Sequence, residues 1–202
     1  YDGLGRPFLF GCRTNGSLTW EAVRRGHGLG ADDFAACEAA LASIPAGSIL
    51  RVLQRERESF PESPAVDYGR QEDFAADYAG AVDSALGLLW LGSRGFASGP
   101  ALGEMAVTGG AAASEGTLRR IAAIWDRPVA RIGEAGAAAG AAVAAAVALV
   151  PEGEREAYAS RAAAAVSGRS LRVEASPPEL AAYHKEGGYL SRLARLLEAG
   201  FR

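Results

Sequence analysis

Residues 107–118 read VTGGAAASEGTL: two adjacent glycines, three alanines and a serine between a short apolar run and a segment with helical spacing. Residues 105–108 have the composition of a brief strand. Ser114 stands where a helix N-cap is expected, and Leu118, Ile121, Ala122 and Trp125 then fall on one face of a helix. Residues 128–132 return as a second strand. Gly109 and Gly110 lack a Cβ, so they reach positive φ and leave backbone amides bare to a ligand. A following helix N-terminus adds a field favourable to negative charge. The pattern is neither G-x-G-x-x-G nor the P-loop G-x-x-x-x-G-K-[ST]. On these residues alone, a phosphate-binding turn and a plain tight turn both stand.

Outward from this stretch, strand and helix patterns alternate. Residues 8–12 (FLFGC) read as a short buried strand, Asn15-Gly16 as a turn, and Ser17 as the cap of a helix over 18–25. A second helix begins at Asp32 or Asp33, with Phe34, Cys37, Leu41 and Ile44 at helical spacing, and ends at Pro45-Ala46-Gly47. Residues 49–53 form a candidate strand. Residues 54–70 carry two prolines, mixed charge and no period, which predicts a long surface loop. A long central helix follows over 71–96, with Phe74, Tyr78, Val82, Ala85 and Leu89 stacked along it. Beyond the opening stretch come an Ala-rich helix in which Gly136 and Gly140 would let another backbone approach, a helix over 155–166, an edge strand at 171–173 and a closing helix over 178–197. This alternation predicts an α/β domain with a partly parallel sheet, and no internal linker divides residues 1–202.

Composition narrows the function. The 202 residues are 49% hydrophobic and 22% charged with a net charge of −3, ordinary for a folded core and unlike the basic footprint of a nucleic-acid or anionic-membrane binder. Small molecules and protein partners are the expected ligands. Cys12 and Cys37 are far apart and read as two buried reduced thiols of a cytoplasmic protein. His27 and His184 are isolated in sequence, so no metal site is expected. The uncharged run at 135–150 is short of the roughly 20 strongly apolar residues of a membrane span. The opening YDGLGRPF has no leader pattern, and a first residue other than Met suggests the downstream part of something longer.

Taken in order, five segments resemble the C-terminal domain of the FGGY carbohydrate kinases, the family of xylulokinase, ribulokinase and glycerol kinase. GRPFLFGCRTNGSLTWEAVR looks like that family's strand, Gly/Ser turn and Trp-bearing helix. ILRVLQRERESFPESP is similar to its strand and loop with a Glu-Arg pair, here Glu56 and Arg57. TGGAAASEGTLRRIAAIWDRPV resembles its C-terminal Gly-Gly signature, EAGAAAGAAVAAAV its Gly/Ala-rich helix, and PPELAAYHKEGGYLSRLARLL its closing Tyr-containing helix. The resemblance implies an actin-like, ribonuclease-H-like lobe with a mixed sheet and several helices. ATP and Mg²⁺ would occupy the cleft it shares with a second lobe. Gly109 and Gly110 would lie against ribose and phosphates, Ala111 to Ala113 would line the loop, and Ser114 would sit at the adenine. The alanines depart from the family by offering no polar side chain.

The resemblance also implies what this chain lacks. The family's Asp-Gly-Thr phosphate loop, catalytic Asp and most sugar contacts belong to the N-terminal lobe, and Asp2-Gly3-Leu4 is not such a motif. A second phosphate turn would fall upstream of Tyr1. No catalytic residue is therefore expected here, and the fragment alone would be inactive. The partners implied are a sugar, a nucleotide and the N-terminal lobe, with self-association through the face that lobe would cover. The alternative is a non-catalytic nucleotide- or sugar-responsive module on the same fold. Asp67, Asp73, Asp77 and Asp83 read as a solvated face. Asp83, near where many relatives carry a Glu, is not assigned to catalysis. Tyr183 and Tyr189 read as core or packing residues.

Overall fold

The computed structural model describes residues 7–95, 103–133, 136–166 and 169–202. The Asp2-Gly3-Leu4 stretch, the expected end of the central helix at Phe96 and the start of the Ala-rich helix at Ala135 lie outside them. The chain is mixed α/β. Helices α1 (Ser17–Gly26) and α2 (Phe34–Ser43) come first. A region of short strands follows: β1 (Val52–Gln54), β2 (Glu58–Ser59), β3 (Glu62–Ser63) and β4 (Val66–Tyr68). Then come the long helix α3 (Phe74–Ser93), strand β5 (Met105–Val107), helix α4 (Glu115–Trp125) and strand β6 (Val129–Ile132). The chain closes with α5 (Gly136–Ala148), α6 (Arg155–Val166), β7 (Arg169–Val173), α7 (Pro177–His184) and α8 (Tyr189–Glu198).

Helix α3 organises the core. The Asp73 carboxylate caps it by accepting from the Ala76 N–H at 2.9 Å. The apolar stripe read from the sequence widens in the structure: Ala79, Ala81, Leu86, Leu88 and Leu91 are buried beside Tyr78, Val82 and Ala85. A helix buried on nearly all sides needs partners on all sides. It packs against α1, α2, α4, α8 and β1. A Cβ at Gly80 would stand 2.8 Å from Ile49 Cγ2 and 2.7 Å from Arg51 Cβ, so glycine there sets how closely the segment entering β1 approaches.

Several expectations are corrected. Residues 8–12 form no strand: no neighbour pairs with them, β1 pairing only with β4, and Phe8, Leu9 and Phe10 are 58%, 72% and 78% exposed. Residues 54–70 are not a surface loop but two antiparallel ladders, Val52–Gln54 on Val66–Tyr68 and Glu58–Ser59 on Glu62–Ser63. Their stability comes from buried polar side chains, which hydrophobic periodicity does not report. The closing helix is two helices, because Gly187, at φ +68°, and Gly188 break it between α7 and α8. Among the described residues no atom lies within 4 Å of a Cβ built at Gly140, so none of them makes the expected close backbone approach there; α5 packs against α6. Cys37 is buried, but Cys12 is exposed. Among the described residues parallel pairing is confined to β5 and β6, with β7 antiparallel at the far edge. Among the described residues no helix is long and apolar enough to cross a membrane.

Two buried polar networks tie these pieces together. Asp83, expected on a solvated face, is 1% exposed. Its carboxylate accepts from Arg120 Nη1 at 2.7 and 2.8 Å, Tyr183 Oη at 2.6 Å and the Gly47 N–H at 3.0 Å. Arg120 Nη2 also donates to the carbonyls of Leu41 and Ile44. Burial pushes the Tyr183 hydroxyl well above its ordinary value, and the Asp83 charge adds to that. Tyr189 is buried beside it, the two rings edge to face at 5.6 Å, as expected for core residues.

The second network centres on Glu58, which is fully buried. It accepts from the backbone N–H groups of Thr14, Asn15 and Ser59 and from Asn15 Nδ2. Asn15 Oδ1 in turn accepts from the Arg55 N–H at 2.8 Å. Arg13 spans the same space, donating to Gln54 Oε1 and Phe60 O at 2.9 Å each. Burial alone would raise the Glu58 pKa, but the amides of Asn15, Thr14 and Ser59, with the charge of Arg13, hold it below the usual glutamate value.

Arg120→Met is expected to destabilise the fold by about 3–5 kcal/mol, because it leaves a buried carboxylate without its cation. The double variant D83L/R120M is expected to recover much of that loss in urea unfolding; a double variant no more stable than R120M would show that the pair is not the source. For Glu58, a folded pKa below the unfolded value means its stabilisation is present above the ordinary glutamate range and is lost as pH falls through the folded value. The stability gap between the wild type and E58Q is therefore expected to narrow as pH falls from neutrality through and below the ordinary glutamate value. Unfolding midpoints measured across that range check the sign.

Candidate functional site: the turn after β5

The turn stands at the carboxyl end of β5, where α/β units bind ligands. Strand β5 pairs in parallel with β6, Met105 opposite Val129 and Val107 opposite Arg131, and α4 is the crossover between them. The chain leaves β5 through Gly109, whose φ of +82° is reached without strain only by glycine. Residues Gly110–Ala113 then make one 3₁₀ turn, the Ala112 N–H donating to Gly109 O at 3.0 Å. Ala112 is buried and anchors the turn, while Ala111 is half-buried against the core. Gly109 and Gly110 are exposed, with nothing within 4 Å of where a Cβ would stand.

Ser114 is the N-cap of α4, as its position suggested. Its hydroxyl accepts from the Thr117 N–H at 2.9 Å and donates to Thr117 Oγ1 at 2.8 Å. The Gly116 N–H is also taken, by Glu38 Oε2 of α2 at 3.1 Å. Glu115, in the first turn, pairs with Arg119 at 2.9 Å. Two carboxylates thus already face the positive end of α4. The favourable field expected for an anion at this helix end is offset, and what remains open is the backbone of Gly109 and Gly110. The structure brings Gly109, Gly110, Ala111 and Ser114 together in one turn, with Ser114 spending its hydroxyl on the helix.

Sequence reasoning missed Glu38, which lies 78 positions from the amide it caps; no local pattern signals it. It also missed a cavity of about 760 Å³ lined by Glu38, Leu41, Ile44, Pro45, Gly116 and Pro178, among others. A second group escaped notice because its members are distant in sequence. His27 Nε2 lies 3.1 Å from Asp77 Oδ2, Arg51 Nε donates to Asp77 Oδ1 at 2.7 Å, and the Gln71 N–H donates to the same oxygen at 2.9 Å. Asp77 is 2% exposed, again against the solvated-face reading; Asp67 faces solvent and pairs with Arg51, and Asp73 is the α3 cap. With its acceptors spent on an arginine, an imidazole and an amide, Asp77 clamps α1, β1 and α3 together. The other histidine, His184, places Nε2 2.9 Å from Ala123 O. Among the described residues no three His, Cys, Asp or Glu side chains come together to hold a metal ion.

No protein-family model matches the chain, and no curated protein matches it.

Gly109→Ala forces a Cβ into a left-handed conformation and is expected to cost about 1–2 kcal/mol. Ser114→Ala removes the α4 cap at about 1 kcal/mol. Gly110→Ala, with open space and no positive φ, should be near neutral. Thermal unfolding of the three variants tests this order, and equal effects at Gly109 and Gly110 would contradict the geometry.

Proposed function

We propose that this chain is the nucleotide-holding C-terminal half of an ATP-dependent carbohydrate kinase, on an actin-like fold. In the intact cytoplasmic protein a second lobe would supply the catalytic aspartate and most contacts to a ketose or polyol. The observation that carries this reading is the exposed Gly109-Gly110 backbone at the carboxyl end of β5, inside a parallel strand–helix–strand unit. A nucleotide laid there would have its ribose and phosphates against bare amides and its base toward Ser114. Glu38 and Glu115 argue against phosphates resting on the α4 N-terminus itself. When bound, ATP supplies the transferable phosphoryl group. Mg²⁺ in such sites is held largely by the nucleotide's phosphates with one or two carboxylates, and no step is assigned to it here. The chain's own part is to bind and orient, and in isolation it is expected to transfer no phosphate. The face that would meet the second lobe would favour self-association, including a homodimer, when uncovered.

A second reading, a non-catalytic nucleotide- or sugar-responsive module, is favoured by one observation: Ala111, Ala112 and Ala113 put no polar side chain on the turn. An NMR titration with a non-hydrolysable ATP analogue separates these readings from an unrelated role. Saturable shifts at the Gly109, Gly110, Ala111 and Ser114 amides are expected at millimolar ligand. Their absence would remove the nucleotide from both readings.

A further inference from the structure

Buried polar groups in folded proteins are almost always satisfied, so each exception asks for a missing partner. Two exceptions sit one turn apart on the same face of α1. Trp20 and Arg24 are 9% and 8% exposed, and both the indole Nε1 and the guanidinium Nε are buried without an acceptor. Arg24 is the more demanding case because it is a cation. Its one hydrogen bond among the described residues is from Nη1 to Cys37 Sγ of α2, at 3.9 Å, and no carboxylate stands within ion-pair distance. The Phe34 ring lies over the guanidinium face at 4.9 Å. The carboxylate of Glu38, also on α2, accepts from the Gly116 N–H. Every other well-buried arginine described here is matched by a carboxylate: Arg13 by Glu58, Arg51 by Asp77, and Arg120 by Asp83. An uncompensated buried charge is costly, and Arg24 alone carries that cost.

The geometry points to an oxyanion-binding site between α1 and α2, in which Arg24 is the cation and Trp20 a second donor. With Nη1 turned to Cys37, the guanidinium Nε is buried without an acceptor among the described residues. The Nε–Nη2 edge of a guanidinium carries two parallel N–H groups at the spacing of two oxygens of one carboxylate or phosphate. Phe34 covers the guanidinium face rather than supplying an acceptor. Trp20 Nε1, one helical turn away on the same face, is a second buried donor without an acceptor among the described residues. The ligand is therefore a small carboxylate or phosphate, alone or as the acidic group of a larger molecule. The site is built from α1 and α2 and does not depend on the turn after β5.

The test is a titration of the ¹⁵N-labelled chain with sodium phosphate and, separately, sodium acetate, each balanced with sodium chloride to constant ionic strength. The Trp20 indole N–H and the Arg24 Nε–H report directly, with the indole assigned through W20F. Both are expected to move together and saturate, with the more effective salt telling phosphate from carboxylate. Arg24→Lys keeps the charge but loses the fork, and is expected to abolish the saturable shift while the rest of the amide spectrum is unchanged. No saturable shift with either salt at tens of millimolar, or an Arg24→Lys response equal to the wild type, would overturn the proposal. If Arg24→Lys does not fold, the Arg24 Nε–H in W20F decides: a retained saturable shift supports the site, and none rejects it.

Discussion

The carboxylate of Asp83 is the point through which the fold is joined. It lies on the central helix and takes hydrogen bonds from α4, α7 and the Gly47 amide, while the arginine that balances it also binds the last carbonyls of α2. Burying an ion pair gains little net energy over a well-packed apolar pair. Its consequence is geometric. Any rotation of α4 or shift of α7 would leave a charge or a hydroxyl unsatisfied in the core, so alternative packings of this Ala-rich interior are penalised. Alanine and glycine surfaces slide past one another easily, and a core made of them needs such a pin.

The same pin sets the turn after β5. Helix α4 is fixed in rotation by Arg120 and in position by Leu118 and Ile124, both fully buried. Its N-terminus is held to α2 by Glu38. The Gly109-Gly110 backbone is thereby presented from a braced element, with Ala112 buried beneath it. A ligand site built in this way does not need to be ordered by its ligand, which lowers the entropic cost of binding.

How much of this could be read from the sequence depended on whether the signal was local. The strand, Gly-Gly turn, capped helix and strand over 105–132 were legible, because capping, glycine chemistry and helical spacing act within a few residues. Helices α2 and α6 and the core role of Tyr183 and Tyr189 were legible for the same reason. The 54–70 region was not. Its ladders rest on Glu58, Gln54 and Ser63, polar residues whose burial depends on Asn15 and Arg13 some 40 positions away. The aspartates of α3 misled in the same manner, since a charge on a helix reads as a wet face unless its distant arginine is known. Residues 8–12 failed in the opposite direction. Their apolar composition is that of a buried strand, but a strand also needs a neighbour, and composition cannot supply one.

Charge placement then separates the two candidate sites. At the turn after β5, the helix end that would attract an anion is neutralised by carboxylates from α2 and from α4 itself, and what is left to a ligand is neutral backbone. Recognition there would rest on shape and on amide hydrogen bonds. Between α1 and α2 the situation is reversed: a guanidinium is buried with no carboxylate paired to it among the described residues.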